Sequence, residues 1–389
     1  MPEVYNIIMR TIREKKRNKF SRWFRLCPAR HCLALLGAIL IGAYFAFQDN
    51  ESMMEAAEDK IARPYFRIAG KICSIVEFSV AEMIYAVGII ALLAYLIVQV
   101  VCILRKPERM KRMYRTLMTF LSVVLVFYGL FCALWGVYYK TADFSEVSGL
   151  QDEPVSTDEL YAVTAYFADM ANTYAEQTQR DENGLFQADI GELFNQSATL
   201  YEPIVKKYPC LDGPALRAKP LVFSKVMSWI NFTGFFFPLT GEANLNTDAP
   251  VCLLPATIAH ELAHQRGVAK EDQANFVAVI ACLESGNTDF CYSACLLAYI
   301  HLENALDKAD PTLAKEISQM LSDNVASDIS ADSEYWQAHE TTAAKVSESV
   351  YSKFLTGYGE ERGLASYGAC VDLLVAYYYD AATAQPGVG

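Results

Sequence analysis

The sequence predicts a mainly α-helical protein in which three N-terminal transmembrane helices precede a mostly helical domain with a short β edge segment. The chain of 389 residues is 53% hydrophobic and has a positive mean hydropathy, which is typical of membrane proteins. Three long apolar runs lie before residue 140. Beyond them, helical spacing of apolar residues dominates, and one stretch rich in aromatic residues and glycine indicates extended chain.

The N-terminal part reads as a basic tail followed by membrane spans. Residues 1–30 carry nine Lys and Arg, and the first apolar run, residues 31–47, contains no Asp, Glu, Lys or Arg. The second and third runs are residues 78–104 and 117–139. All three are long enough for a bilayer span, although the first is near the lower limit of about 17 residues. We therefore expect a three-helix transmembrane region over residues 31–140.

The distribution of charge predicts the orientation of the chain. Basic residues precede the first run and separate the second run from the third. By the positive-inside rule, the tail at 1–30 is cytoplasmic and residues 141–389 lie outside the membrane. The expected location is thus the cell membrane, with the lipid bilayer as a partner.

The two halves of the chain also differ in net charge. Residues 1–140 contain 20 Lys and Arg against 10 Asp and Glu, whereas residues 141–389 contain 13 against 35. An acidic second half argues against nucleic-acid binding, because proteins that bind nucleic acids usually have a basic face.

The second half begins with a linker at 141–154 and a helix that Ser156 and Glu159 would start as a capping box. Further helices are predicted at 190–208, 290–302, 350–354 and 367–381. The apolar stretch 226–239 contains Asn231, Gly234 and Pro238 and is too short for a fourth span. We expect a buried strand or a segment that lies along the membrane surface.

The residues most indicative of a chemical function are His260, Glu261 and His264, which form the pattern H-E-x-x-H. Two residues four apart lie on one face of an α-helix, so both imidazoles can reach one metal ion while Glu261 points beside it. In a zinc hydrolase the metal lowers the pKa of a bound water toward about 7, and such a glutamate takes its proton. The chain has only five histidines, and two of them flank this glutamate. Zinc is therefore the predicted cofactor.

A catalytic zinc needs a third protein ligand and an open position for water. Gly267 is a natural end for the first helix, because glycine takes the left-handed conformation without a Cβ penalty. If a second helix begins near Lys270, Glu271 lies on one stripe with small residues and faces the metal.

Other side chains near the motif are alternatives or supports. Asp272 is the second candidate for the third ligand, and His301 and His339 are more remote ones. Asn275 follows Glu271 by four residues and could hold a histidine or the carboxylate in place, as residues behind metal ligands usually do.

Several segments together resemble one family. They are FSVAEMIY (78–85), WGVYYK (135–140), PLTGEANLN (238–246), HELAHQRGVAKEDQANF (260–276) and SYGACVDLLVAYY (366–378). With the three spans, this ordered set resembles an uncharacterised bacterial membrane-protein family, domain of unknown function 3810. The resemblance covers nearly the whole chain and implies the fold and membrane topology.

A second resemblance concerns the metal site. Glu271-x-x-Ala274-Asn275 is similar to the E-x-x-A-D/N helix that supplies the third, glutamate ligand in gluzincin peptidases. In zincins generally, an extended edge strand upstream of the motif helix pairs with the substrate backbone. The segment GEANLN (241–246) is similarly placed, which makes Asn244 and Asn246 candidates for substrate contacts, although asparagines that merely shape a turn are an equal alternative.

The sequence thus predicts a membrane-anchored zinc metallopeptidase whose zincin-like domain, residues 141–389, hydrolyses peptide bonds in a peptide or protein substrate. The alternative is a non-catalytic membrane or envelope protein with a structural or vestigial zinc site. Three protein ligands and a water would favour the enzyme, and four protein ligands would favour the alternative.

Overall fold

The computed structural model describes residues 23–105, 107–150, 155–358 and 367–384, together with Met9. Most of the predicted basic tail at 1–30 and the end of the linker at 141–154 lie outside the described residues.

The N-terminal part is helical, as predicted. Its helices are α1 (Pro28–Phe47), α2 (Glu51–Ala57), α3 (Arg63–Cys73), α4 (Val80–Arg105) and α5 (Arg109–Leu134). A π-helical turn, Glu58–Ala62, joins α2 to α3, and a 3₁₀ turn, Gly136–Tyr139, follows α5. Helices α1, α4 and α5 are long and apolar enough to cross a membrane, which confirms the three predicted candidate spans.

The rest of the chain is also mainly helical. Its helices are α6 (Phe144–Ser148), α7 (Thr157–Ala175), α8 (Ile190–Gln196), α9 (Glu202–Val205), α10 (Ser224–Trp229), α11 (Leu254–Gln265), α12 (Glu271–Glu284), α13 (Thr288–Ala309), α14 (Pro311–Ser318), α15 (Asp323–Ala338), α16 (Thr342–Gly357) and α17 (Tyr367–Ala384). The predicted capping box starts α7. The single helix predicted at 190–208 is wrong: it is divided into α8 and α9, because Pro203 lacks an N–H and is accommodated only in the first turn of a new helix.

The main core lies where α7, α11, α12, α13 and α17 pack together. It is built of small and apolar side chains, and Phe167, Phe276 and Phe290 are completely buried within it. The metal-motif helix α11 is therefore held in the centre of the helical layer, where its orientation is fixed by packing on several sides.

The chain between the first two spans packs against the domain that follows the third. Tyr65 in α3 donates a hydrogen bond to the carbonyl of Leu239 at 2.8 Å, and the ring of Phe66 stacks on Tyr138. Arg67 pairs with Asp212 at 2.9 Å. The globular unit thus includes α2 and α3, which precede the boundary expected at residue 141.

The strands form two small sheets. They are β1 (Gln179–Arg180), β2 (Phe186–Gln187), β3 (Lys219–Pro220), β4 (Gly234–Phe237) and β5 (Glu242–Leu245). The larger sheet has the order β3-β5-β4, with β5 parallel to β3 and antiparallel to β4. The expectation that GEANLN is an edge strand is therefore wrong. The turn after Phe237 folds β5 back onto β4, and β3 pairs with the other side of β5. The edge strand next to α11 is therefore β4.

Polar side chains of the central strand hold the start of the second span. The Glu242 carboxylate accepts hydrogen bonds from the backbone N–H groups of Val80 and Ala81, at 3.1 and 2.8 Å. It also forms a buried ion pair with Lys219 at 2.6 Å. A carboxylate at a helix N-terminus is favourable because it neutralises the partial positive charge there. The sheet and α4 are thus joined through buried charge.

Replacing Glu242 by Gln leaves the buried Lys219 ammonium without its counter-charge. Removal of one partner from a buried ion pair costs about 3–5 kcal/mol, and we expect a loss of that order in the free energy of unfolding, measured in detergent. The control is Glu340→Gln, whose partner Lys345 lies with it at the surface, where a pair contributes about 0–1 kcal/mol. Equal stability of the two variants would contradict the role of Glu242.

Candidate metal centre

Helix α11 carries the H-E-x-x-H residues and ends where the sequence predicts. Gly267 has a φ of 95°, and its N–H donates to the carbonyl of His264 at 3.0 Å. The N–H of Val268 donates to the carbonyl of Ala263 at 3.1 Å, which completes a Schellman motif. This tight ending reverses the chain within a few residues, so that the next helix returns to the same two histidines.

Helix α12 begins at Glu271, with Lys270 as its N-cap, which confirms the predicted start. The ligand atoms of His260, His264 and Glu271 all lie within 4.8 Å of one another. The two histidine Nε2 atoms are 3.0 Å apart, and the Glu271 carboxylate lies 3.1 Å from Nε2 of His260 and 3.5 Å from that of His264. The structure thus brings together the three residues that the sequence proposes as ligands.

These separations fit a zinc ion. Two ligands of a tetrahedral zinc with bonds of about 2.0–2.1 Å are about 3.3 Å apart, and the three observed separations lie on either side of that value. Two imidazoles and one carboxylate also form the donor set of one type of catalytic zinc site. The residues present therefore fit the metal.

Each histidine is oriented by a carbonyl oxygen behind it. Nδ1 of His260 lies 2.8 Å from Oδ1 of Asn275, and Nδ1 of His264 lies 2.7 Å from the backbone oxygen of Val268. A carbonyl oxygen only accepts hydrogen bonds, so Nδ1 carries the proton in both rings. Each Nε2 lone pair is then directed into the cluster. Asn275 therefore lies where the sequence places it, behind a histidine.

Asn275→Ala should weaken zinc binding without removing a ligand. Loss of a hydrogen bond behind a metal ligand typically costs about 10- to 100-fold in metal affinity, and competition with a chelator of known affinity measures it. Asn304→Ala is the matched control, because Asn304 is exposed and bonds within α13. Unchanged affinity in the Asn275 variant would show that Asn275 does not orient His260.

Charge in the cluster favours a cation among the three ligands. Burial alone would lower the pKa of His264, but Glu271 raises it to about 9. Burial would raise the pKa of Glu271, yet the two histidines hold it well below its usual value. The cluster therefore stabilises positive charge between two nitrogens and a carboxylate, which is the place a metal ion would take.

Glu261 is buried beside the cluster but is not one of its ligands. Burial raises its pKa to about 7, and the neighbouring His260 and His264 oppose that rise. Its Oε2 atom has no hydrogen-bond partner among the residues that the structure describes. An unsatisfied buried carboxylate oxygen is costly unless a water or substrate group binds it. Glu261 is thus positioned to accept a proton.

Two residues that the sequence analysis did not single out complete the site. A Cβ at Gly234 in β4 would lie 2.9 Å from Oε1 of Glu261, so glycine allows the strand to approach this side chain. The hydroxyl of Tyr351 in α16 donates a hydrogen bond to Oε1 of Glu271. The position of TGFFF shortly before the H-E-x-x-H motif was a weak indication that Gly234 belongs to the site. No local sequence pattern connects Tyr351 with Glu271, which lies 80 positions earlier.

The remaining candidates do not join the three ligands. Asp272 and His301 are buried and line a neighbouring cavity with His260 and Glu271, outside the ligand cluster. Nδ1 of His339 bonds to the backbone oxygen of Tyr335 at the end of α15.

The proposed substrate contacts of Asn244 and Asn246 are corrected by the structure. Asn244 is fully buried, accepts a hydrogen bond from Ser79 and donates to the backbone oxygens of Phe235 and Glu242. Asn246 is buried and donates to Ser228 and to the backbone of Phe232. Both side chains are therefore occupied by hydrogen bonds within the protein.

Comparison with known proteins assigns the chain to a family. Residues 59–375 match the family model described as "Protein of unknown function (DUF3810)". The chain belongs to the DUF3810 family. The matched range includes the second and third spans and every residue of the metal cluster. No curated protein and no solved structure gives a significant match. Membership in DUF3810 thus confirms the family resemblance.

Proposed function

We propose that this protein is a membrane-anchored zinc metallopeptidase with a zincin-like site. The observation that carries the proposal is the cluster of His260, His264 and Glu271 with the buried carboxylate of Glu261 beside it. This is the arrangement of a two-histidine, one-carboxylate hydrolase, in which the base is a residue other than the ligands.

The proposed chemistry divides between the metal and the chain. His260, His264 and Glu271 would hold zinc, and the bound ion would supply a Lewis acid for the peptide carbonyl and for a water nucleophile near neutral pH. Glu261 accepts the water proton at its carboxylate and delivers it to the leaving amine. One oxygen of its buried carboxylate has no hydrogen-bond partner among the described residues, which suits a group that takes and returns a proton.

The edge strand β4 is the proposed binding site for the substrate backbone. The backbone N–H of Asn246 donates a hydrogen bond to the carbonyl of Thr233 at 2.9 Å, so these two residues form a hydrogen-bonded pair across the strands. Because such pairs alternate in an antiparallel ladder, the backbone groups of Gly234 and Phe236 point away from β5. Both residues line the cavity that contains the metal cluster. The backbone of Phe236 already donates a hydrogen bond to Glu261, so an extended peptide would add to β4 through the remaining outward-facing backbone groups.

The proposed location is the cell membrane, with a cytoplasmic N-terminus and an extracytoplasmic domain. Basic residues near the beginnings of α1 and α5 lie together, which supports this orientation. Arg30 donates a hydrogen bond to the backbone oxygen of Arg115, and Arg115 donates one to the backbone oxygen of Leu26. Helices α2 and α3 and the chain after α5 pack together at the opposite ends of the spans. The acidic net charge of residues 141–389 argues against nucleic-acid binding, and the proposed partners are the bilayer and a peptide substrate.

A non-catalytic protein with a structural zinc is the competing proposal, and one experiment separates the two. The purified full-length protein is analysed for metal and incubated with a peptide library, with and without a chelator. About one zinc per chain and chelator-sensitive cleavage support the peptidase. Stoichiometric zinc without any cleavage supports the structural site, because closed sites leave no position for water.

A further inference from the structure

The metal cluster opens into a cavity of about 630 Å³ that reaches the third span. Phe131 in α5 lines this cavity, as do Trp135 and Tyr139 in the turn that follows. The Trp135 ring lies 5.8 Å from the ring of His264, centroid to centroid. One continuous space therefore contains both the ligands and the aromatic end of a candidate span.

The edge strand β4 packs against the beginning of the candidate span α4. Phe235 and Phe237 contact the ring of Tyr85, at centroid distances of 6.1 and 5.0 Å. Tyr85 is already more than one turn inside α4, which has 26 residues. A helix of that length measures about 39 Å, longer than the hydrocarbon core of about 30 Å. The excess of about 9 Å corresponds to about six residues, so the first turn of α4 can lie in the interfacial zone with Tyr85 at its inner limit, and tyrosine is enriched in that zone.

A short apolar segment, residues 221–229, extends this surface and is called here the interfacial segment. Val222, Phe223 and Trp229 are 75%, 53% and 57% exposed. Glu82 at the start of α4 holds the segment, since its carboxylate accepts the backbone N–H groups of Val222 and Phe223 at 2.9 and 2.7 Å. The exposed side chains thus continue the apolar surface of a candidate span, and lipid is the environment that would cover them.

A second cavity lies on the other side of the ligands and has a different character. It measures about 260 Å³ and shares His260 and Glu271 with the first. Asp272 and Asp332 line it, and no residue of α1, α4 or α5 is among its described lining. A peptide that crosses the metal site would therefore leave a cavity rich in aromatic residues and enter one whose described lining contains a single aromatic residue, Trp336.

We infer that the substrate is a polypeptide anchored in the same membrane, bound as an extended strand along β4 and cut close to the membrane surface. The inference rests on the proposed peptidase function. The reaction is hydrolysis: the C–N bond breaks, the water oxygen bonds to the carbonyl carbon, and the water protons end on the amine and the carboxylate product. The anchored side of the substrate occupies the aromatic cavity, and the part outside the membrane occupies the second cavity.

The first test compares anchored and free substrates. Full-length, zinc-loaded protein is placed in vesicles of phosphatidylcholine and phosphatidylglycerol with a single-span polypeptide that carries a randomised cassette. The cassette begins about 3 or about 30 residues beyond the span, a reach of about 10 or 100 Å when extended. A third probe is the cassette without a span.

We expect the short-spacer probe to be cut with a kcat/KM at least about tenfold above both others, because its cassette is held at the site. Equal rates for all three probes would overturn the inference and leave the peptidase standing. Equal rates for the two anchored probes, both above the rate for the free cassette, would also overturn it. Cleavage would then depend on anchoring and not on the distance of the cassette from the membrane. Failure to cut any probe with zinc bound would overturn the proposed function and the inference with it.

The second test needs no activity. Phospholipids brominated near the headgroup quench tryptophans at shallow depth, so Trp229→Phe should remove part of the quenched emission. Trp336→Phe is the comparison, because Trp336 lies in α15, outside the interfacial segment and the three candidate spans, and lines both cavities at the metal cluster. If Trp229→Phe loses no more quenched emission than Trp336→Phe, the interfacial segment is not in the bilayer and the inference fails.

Discussion

His264→Ala is expected to abolish stoichiometric zinc binding. His264 is one of the three proposed ligands, is buried, and is held by the carbonyl of Val268. Alanine leaves two ligands and an apolar gap, which is too few for a protein zinc site. Metal analysis of the purified protein after dialysis against a weak chelator measures the loss. His339→Ala should retain about one zinc per chain, since His339 bonds to Tyr335 in α15.

The same measurement decides the third ligand. Glu271→Gln should lose zinc, because its carboxylate lies against both histidines. Asp272→Asn should retain zinc, since Asp272 is next to the cluster but outside it. Zinc lost from the Asp272 variant and kept by the Glu271 variant would reverse the assignment.

Glu261→Gln is expected to lower turnover by about 10²- to 10⁴-fold, the usual contribution of a positioned acid or base. The substitution is nearly isosteric and removes no ligand, so zinc content and thermal stability should stay close to those of the parent. Initial rates on a peptide from the library digest measure the effect. The loss should appear in kcat, because the group acts in the proton transfer rather than in substrate binding.

Glu284→Gln is the matched control, since Glu284 is exposed at the end of α12. It should keep the activity of the parent. An active parent with an equally active Glu261→Gln variant would place hydrolysis somewhere other than α11.

Much of the fold was predictable because it depends on local patterns. Apolar runs identify the spans without knowledge of their neighbours, and the Ser156 capping box starts α7 as predicted. The ligand set could be proposed for the same reason. His260 and His264 are one turn apart, and Gly267 ends the helix so that Glu271 returns to them.

The errors concern contacts between residues that are distant in sequence. GEANLN was expected at the edge of a sheet, but pairing with Lys219 and Pro220 makes it the central strand. Asn244 consequently binds Ser79 and the strand backbone instead of a substrate. The side-chain pattern within a strand does not indicate which of two neighbouring strands pairs with a third strand, because both strands fit the same alternation of side chains.

By itself, the sequence determined the spans, the motif helix and the turn to Glu271, since each depends on spacing within one or two helical turns. Only the tertiary structure decided that β4 is the free edge, that Tyr351 contacts Glu271, and that Phe235 lies against Tyr85. Those contacts join residues that are 80 or more positions apart or depend on strand order. They arise from the packing of the whole chain, in which each element buries its apolar face against whichever partner fits it.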